Sequence, residues 1–366
     1  MIFSRVQCWI AAAALTLPIF AQAAPAVVPI PSDANEIVRG PIESANTPEG
    51  RGAAAELLTR ARDAYALRTA GRGYDLKVTF TVNSGGQTQY DGVWQMEDWF
   101  APGEGLRWTA NSGAFSITEI FSNGKSYVDG TSGYIPLRLH EARAALFGTL
   151  PSPAAFQRDA IRTSTATFEG TQVTCILFSA KKGATDAPVR RWDETEECID
   201  PQSGLLRVVS QVPGRYSLYD YSNAPQLVGH MLPRTVTVTE GGKTVSKISV
   251  ESITELTSAD QSLFTPTPAM LERGQAIAML GAEKISHVVH VGAFPYGATP
   301  HVVCVFGVVT PTGELVEAHS LQPSDPFSAN AIATAKQIKF AQPPKPGEVE
   351  APLEQHFVFV IEKFLR

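Results

Sequence analysis

Polar and apolar residues alternate along much of the chain between Tyr74 and about Glu255. Asp75-Leu76-Lys77-Val78-Thr79-Phe80-Thr81-Val82 has the two-residue period of a strand with one buried face, and it ends at the turn residues Asn83-Ser84-Gly85-Gly86. The alternation resumes from Gln87 to Phe100 and returns at Gly105–Trp108 and Ser116–Phe121. Asn123-Gly124 then supplies a two-residue hairpin into Lys125–Val128. A helical interlude is predicted over Pro136 to Leu146. Further strands are expected over Thr165–Glu169, Gln172–Ser179, Leu205–Val212, Tyr216–Tyr221, Arg234–Glu240 and Val245–Leu256, with Gly241-Gly242 joining the last two. Ahead of these strands, Ala53 to Tyr65 carries apolar residues at three- and four-residue spacing, the stripe of an amphipathic helix. One helix followed by a meander of antiparallel strands predicts an α+β protein. Its main domain, 53–265, should be a curved antiparallel sheet or incomplete β-barrel with the helix plugging the concave face.

The ends of the chain read differently. Arg5 precedes an apolar stretch from Cys8 to Phe20, and Ala21-Gln22-Ala23 offers small residues for a peptidase. This order predicts a secretory signal peptide over 1–23. Cleavage would leave no stable membrane span and place the chain in the periplasm; an uncleaved start would make an inner-membrane anchor. Residues 24–52 hold five prolines and are expected to form a flexible leader. Thr265-Pro266-Thr267-Pro268 marks a boundary, and a helical connector is expected through residue 284. A second domain then occupies 285–366. It runs from the strand His301–Val309 through the turn Pro311-Thr312-Gly313-Glu314 to the strand Leu315–Ser320. A helix over Pro326–Ile338, capped by Ser324-Asp325, precedes the terminal strand containing Phe357, Val358, Phe359, Val360 and Ile361.

The helix, the strand run with its tryptophans, Phe121-Ser122-Asn123-Gly124-Lys125 and Ile199-Asp200-Pro201-Gln202-Ser203-Gly204-Leu205 resemble the LolA/LolB-type periplasmic lipoprotein carriers. That resemblance covers about 53–265 and implies an apolar cavity able to hold a lipid or a lipoprotein acyl chain. Residues 285–366 resemble the TonB C-terminal domain. The resemblance lies in the hairpin Thr312-Gly313-Glu314-Leu315, the segment Ala331 to Phe340, Pro343, Gly347 and the ending Val360-Ile361-Glu362-Lys363-Phe364. It implies a small αβ module that engages an outer-membrane or other envelope protein. The family's Tyr-Pro-x-x-Ala start is only echoed by Phe294-Pro295-Tyr296-Gly297-Ala298, and no long Pro-rich spacer follows the amino terminus.

Candidate chemistry narrows the function. A net charge of −6, with no run of basic residues longer than two, argues against nucleic acid as a partner. No nucleophile elbow, phosphate loop or His-Glu-x-x-His motif is present, so a non-enzymatic protein without cofactor is expected. Histidines 287 and 290 fall on opposite sides of a strand-like run, and no metal site is expected. Arg190-Arg191 and Asp193-Glu194-Thr195-Glu196-Glu197 are expected at a hairpin tip in solvent. Cys175 and Cys198 lie on strand-like runs, either as a disulfide or as two buried thiols; Cys304 reads as a buried strand cysteine. Trp94, Trp99, Phe100, Trp108, Phe121 and Tyr127 form a dense aromatic set, either cavity lining or ordinary core. The edge of the strand Phe357–Ile361 is the candidate partner-binding surface. These readings predict a periplasmic protein that holds an apolar or lipid-like ligand and docks an envelope partner. Three alternatives remain: a structural envelope module without a small ligand, a TonB-type transducer component if the start stays uncleaved, or a hydrolase whose site carries no recognised motif.

Overall fold

A computed structural model describes residues 37–65, 67–83, 90–113, 115–131, 135–147, 150–151, 153–179, 189–191, 194–257, 260–278, 301–309, 315–337, 348–351 and 353–361. The signal-peptide reading, histidines 287 and 290 and the Thr312-Gly313-Glu314 turn lie outside the described residues.

Regular structure is present ahead of the expected helix. Two short strands, β1 (Ile37–Arg39) and β2 (Glu43–Ser44), pair with β8 (Ala160–Phe168), so this part of the 24–52 leader is a folded sheet edge. Helix α1 spans Pro48–Tyr65 and starts five residues ahead of Ala53. Thr47 is the physical reason: its Oγ1 accepts the Gly50 amide at 3.1 Å, and proline at the first helical position needs no amide partner. The buried stripe of α1 is Ala54, Leu57, Leu58 and Ala61.

The strands that follow keep the period read from sequence. They are β3 (Gly73–Val82), β4 (Gly92–Ala101), β5 (Gly105–Ser112), β6 (Phe115–Ser122) and β7 (Lys125–Gly130). Helices α2 (Leu137–Phe147) and α3 (Pro153–Arg158) precede β8 and β9 (Thr171–Ser179). Then come β10 (Thr195–Ile199), β11 (Leu206–Val212), β12 (Arg215–Asp220), the small pair β13 (Gln226–Leu227) and β14 (His230–Met231), β15 (Thr235–Glu240) and β16 (Lys243–Leu256). Both expected tight turns form, with positive φ at Asn123, Gly124, Gly241 and Gly242.

The main sheet runs β1-β8-β9-β10-β11-β12-β15-β16-β3-β4-β5-β6-β7 and continues through two strands from the C-terminal part, β17 (Gln275–Ala278) and β20 (Glu348–Ala351). It is open: its two end strands do not pair among the described residues. Among the described residues, the expected helical connector is a short helix, α4 (Pro268–Arg273), followed by a strand that joins the sheet. Strand β20 pairs parallel to β17. The C-terminal unit is a separate three-stranded sheet, β19-β18-β21, built from β18 (His301–Val309), β19 (Leu315–Ser320) and β21 (Leu353–Ile361). Helix α5 (Ser328–Ala335) packs on it through Ala331 and Ala335. It is shorter than expected, because Asp325 accepts the Phe327 amide at 2.8 Å and forms a turn ahead of the helix instead of capping it.

One continuous apolar core joins α1, α2 and the inner face of the main sheet, from Phe80, Trp94 and Trp108 on one side to Ile176, Ile199 and Val209 on the other. A smaller core lies on the opposite face and includes Phe168, Cys175, Leu177, Cys198 and Tyr216, with Ile42 of the leader packed against it.

Candidate functional site

Strand register sorts the aromatic set onto two faces. Antiparallel partners point the same way, so Trp94 (opposite Phe80), Phe100 (opposite Tyr74 and Leu106), Trp108 and Phe121 share the inner face. Trp99, Arg107, Ile120 and Tyr127 are linked by the same pairing and occupy the outer face. The six residues therefore do not line one space. Trp94 and Trp108 are fully buried. Trp94 stacks on Phe80 at 5.4 Å, meets Phe115 at 5.0 Å and donates its indole N–H to the Tyr90 carbonyl. Phe100 is half-buried against Tyr74, and Phe121 at the sheet rim is 45% exposed. Trp99 lies under the guanidinium of Arg107.

A polar line crosses the same inner face. The Tyr74 hydroxyl donates to Asp98 Oδ1 at 2.8 Å, and Arg68 lies 3.5 Å from Asp98 Oδ2. Burial pushes the Asp98 carboxyl up, and the charges of Arg68 and Arg143 oppose that shift. Arg143 of α2 stacks over Trp108 at 3.8 Å, while the Trp108 indole and the Ser126 hydroxyl both donate to Glu119. The helices are clasped at their margins by arginines bound to backbone carbonyls. Arg51 reaches Phe156 at 2.7 Å, Arg60 reaches Pro201 at 2.9 Å, and Arg62 reaches Pro151 at 2.7 Å.

The acidic cluster is not at a solvated tip. Glu194, Glu196 and Glu197 are all buried, as are Arg190 and Arg191. Arg162 holds Glu194 with two 2.7 Å bonds, Arg190 reaches Glu196 at 3.1 Å, and Arg39 of the leader also binds Glu196. Burial of so many acids is tolerable only with such pairing. Glu197 differs. It lies opposite Ile176 and Val209, facing inward, and neither of its oxygens has a hydrogen-bond partner among the described residues. Burial pushes its carboxyl well up, against the charge of Arg62.

Cys198 pairs directly with Cys175, and the two form a disulfide. Their sulfurs lie near Glu196 and would form a three-ligand group, but the bond between them leaves neither a thiolate for a metal. Cys304 is a free, buried strand cysteine. The strand containing Phe357–Ile361 pairs with β18 along its length and forms one edge of the small sheet.

The two units meet at a buried charge network that sequence reasoning missed. Arg138 of α2 bonds Glu141 at 2.7 Å and Glu240 at 2.8 Å, and Arg215 binds the same two acids. His319 of β19 lies 3.3 Å from Glu240, Arg215 stacks on Phe306 at 4.1 Å, and Glu317 accepts the Leu137 amide at the start of α2. Burial alone would raise the Glu240 carboxyl, but hydrogen bonds from His319 and Arg138 hold it well below the usual range. Beside this network lies a cleft of about 530 Å³ lined by Glu240, Lys243, His319, Leu321, Ser328 and Ile332, among others. Clefts between units are common ligand positions.

No family model matches the chain, and no curated protein matches it. Among the solved structures with some similarity to the chain are three at low identity. A LolA superfamily protein from Nitrosomonas europaea is 12% identical, with a TM-score of 0.36 over 58% of this chain and 97% of its own. An outer membrane lipoprotein-sorting protein domain from Vibrio parahaemolyticus is 9% identical, with a TM-score of 0.34 over 58% and 97%. A DUF1329 family protein from Desulfovibrio piger is 9% identical, with a TM-score of 0.39 over 60% and 98%. All three lie below a TM-score of 0.5, so the functional reading of this chain rests on its own residues.

Proposed function

We propose that the chain is a non-enzymatic binding protein of the bacterial envelope that holds an apolar or lipid-like ligand between its main sheet and helices α1 and α2. The observation that carries this reading is how the helices are held. The buried stripe of α1 consists of two alanines and two leucines. The rim arginines Arg51, Arg60 and Arg62 bind carbonyls that water can equally satisfy. Lifting α1 would expose Ala54, Leu57, Leu58 and Ala61, and a ligand that covers them in turn recovers about 25 cal/mol per Å² of apolar surface. The C-terminal unit then serves as a TonB-like docking module, pairing its edge strand Phe357–Ile361 with an extended segment of an envelope partner. Titration of the full chain with diphenylhexatriene tests the ligand reading: saturable fluorescence enhancement is expected, and none at high micromolar protein would count against it.

A second reading is favoured by one observation. Trp94 and Trp108 are fully buried among protein side chains, as they would be in a structural module that docks other proteins and carries no ligand. The same titration separates the two.

A further inference from the structure

Glu197 stands apart from every other buried acid of the chain's acidic cluster. Glu194 and Glu196 face the outer side of the sheet and are saturated by Arg162, Arg190 and Arg39. Glu197 is one residue out of phase with Glu196, so the pleat turns it to the inner face, between Ile176 and Val209 and beneath α1. It is 1% exposed, and both carboxyl oxygens are without a hydrogen-bond partner among the described residues. Buried polar groups are paired in the great majority of cases, so a carboxyl with neither oxygen partnered by the protein calls for a partner from outside it, a water or a ligand group.

We propose that Glu197 is the recognition point for the polar head of an amphiphilic ligand, one whose chain lies under α1 against the inner face and whose head is a neutral hydrogen-bonding group such as a hydroxyl, ester or amide. This deepens the apolar-ligand reading and rests on it. Two features bear on the charge of the head. Burial pushes the Glu197 carboxyl well up and so favours its neutral form, which offers one O–H donor and one carbonyl acceptor, as an alcohol or amide would match. The charge of Arg62 already acts on this site, so a second cation entering it would be repelled. Arg62 itself is tied to the Pro151 carbonyl, at the margin where the roof closes.

The test uses the full chain, diphenylhexatriene as a headless probe, and 1-dodecanol as the competitor with a neutral head. Wild-type protein, Glu197→Leu and Glu197→Gln are compared for probe binding, dodecanol displacement and melting temperature. All three should bind diphenylhexatriene with similar affinity. Displacement by dodecanol should weaken about tenfold in Glu197→Leu, the weight of one hydrogen bond, and stay within about threefold of wild type in Glu197→Gln. The empty Glu197→Leu protein should melt about 2–4 °C higher, because an orphaned polar group has been removed. Failure of wild type to bind the probe overturns the apolar-ligand reading itself. Normal probe binding with unchanged dodecanol displacement in Glu197→Leu overturns the role of Glu197 alone. A lower melting temperature in both variants does the same, since it means that the carboxyl has a structural partner.

Discussion

Arg138 Nη1 lies 2.8 Å from Glu240 Oε1, and this contact ties helix α2 to the end of the β15–β16 hairpin where the C-terminal unit docks. The same guanidinium holds Glu141, and Glu240 also receives His319 from β19. Removing Arg138 would leave two buried carboxylates sharing only Arg215 and His319. Arg138→Met is expected to cost about 3–5 kcal/mol, measured by urea unfolding. Limited proteolysis should release the C-terminal unit from this variant sooner than from wild type.

His140 and Glu240 each make acid weaken the protein, in two separate stages, while the raised carboxyls of Glu197 and Asp98 act in the opposite direction. Burial, aided by the charge of Arg143, pushes His140 down to about 4. The unfolded chain takes up that proton near 6.5, so between about 6.5 and 4 the unfolded state binds more protons. Stability is therefore fully present above that window and falls as pH drops through it. Glu240 is depressed in the folded state, so its contribution is present above the unfolded value of about 4.3 and is lost only below it. His140→Gln should flatten the first stage and leave the second, as read from melting temperatures across the pH range.

The Cys175–Cys198 bond closes a loop with a sequence separation of 23 and links two adjacent strands of the main sheet. Its loss frees the unfolded chain, and a cost of about 3 kcal/mol is expected. A double substitution Cys175→Ser with Cys198→Ser should show it in a denaturant titration. Reductant should then have no further effect on the variant.

Trp108 and Phe121 make a contrast on one face. Trp108 is fully buried under Arg143, whereas Phe121 is at the rim. Trp108→Ala should cost about 3–5 kcal/mol in stability, and Phe121→Ala less than about 1 kcal/mol. A loss of diphenylhexatriene binding in Phe121→Ala without loss of stability would place the rim on the route of ligand entry.

Much of the main sheet was legible because its strands bury one face and so carry a two-residue period. The hairpins at Asn123-Gly124 and Gly241-Gly242 were fixed by residues that accept positive φ. Parity also held a signal for the aromatic set: Trp94 and Trp99 are five residues apart on one strand and must face opposite ways. The Thr47-Pro48 start of α1 was missed, because the stretch before Ala53 reads as a proline-rich leader and the cap shows only where Thr47 accepts the Gly50 amide. What could not be read was the non-local pairing. Glu196 looks like a solvated acid until Arg39, 157 residues earlier, is brought beside it. The addition of β17 and β20 to the main sheet depends on a parallel pairing across the C-terminal unit, which no local pattern announces. The inward phase of Glu197 follows from register, but its lack of a partner is a property of the packed interior.

Uptake of a long-chain amphiphile between the inner face and helices α1 and α2 underlies both proposals. Native mass spectrometry of the full chain, followed by organic extraction and mass analysis of what is released, tests it most directly. A species heavier than the polypeptide by one long-chain molecule is expected, with that molecule recovered in the extract and diminished in Glu197→Leu. A chain that carries no such molecule from any preparation, and takes up none when offered, would contradict it.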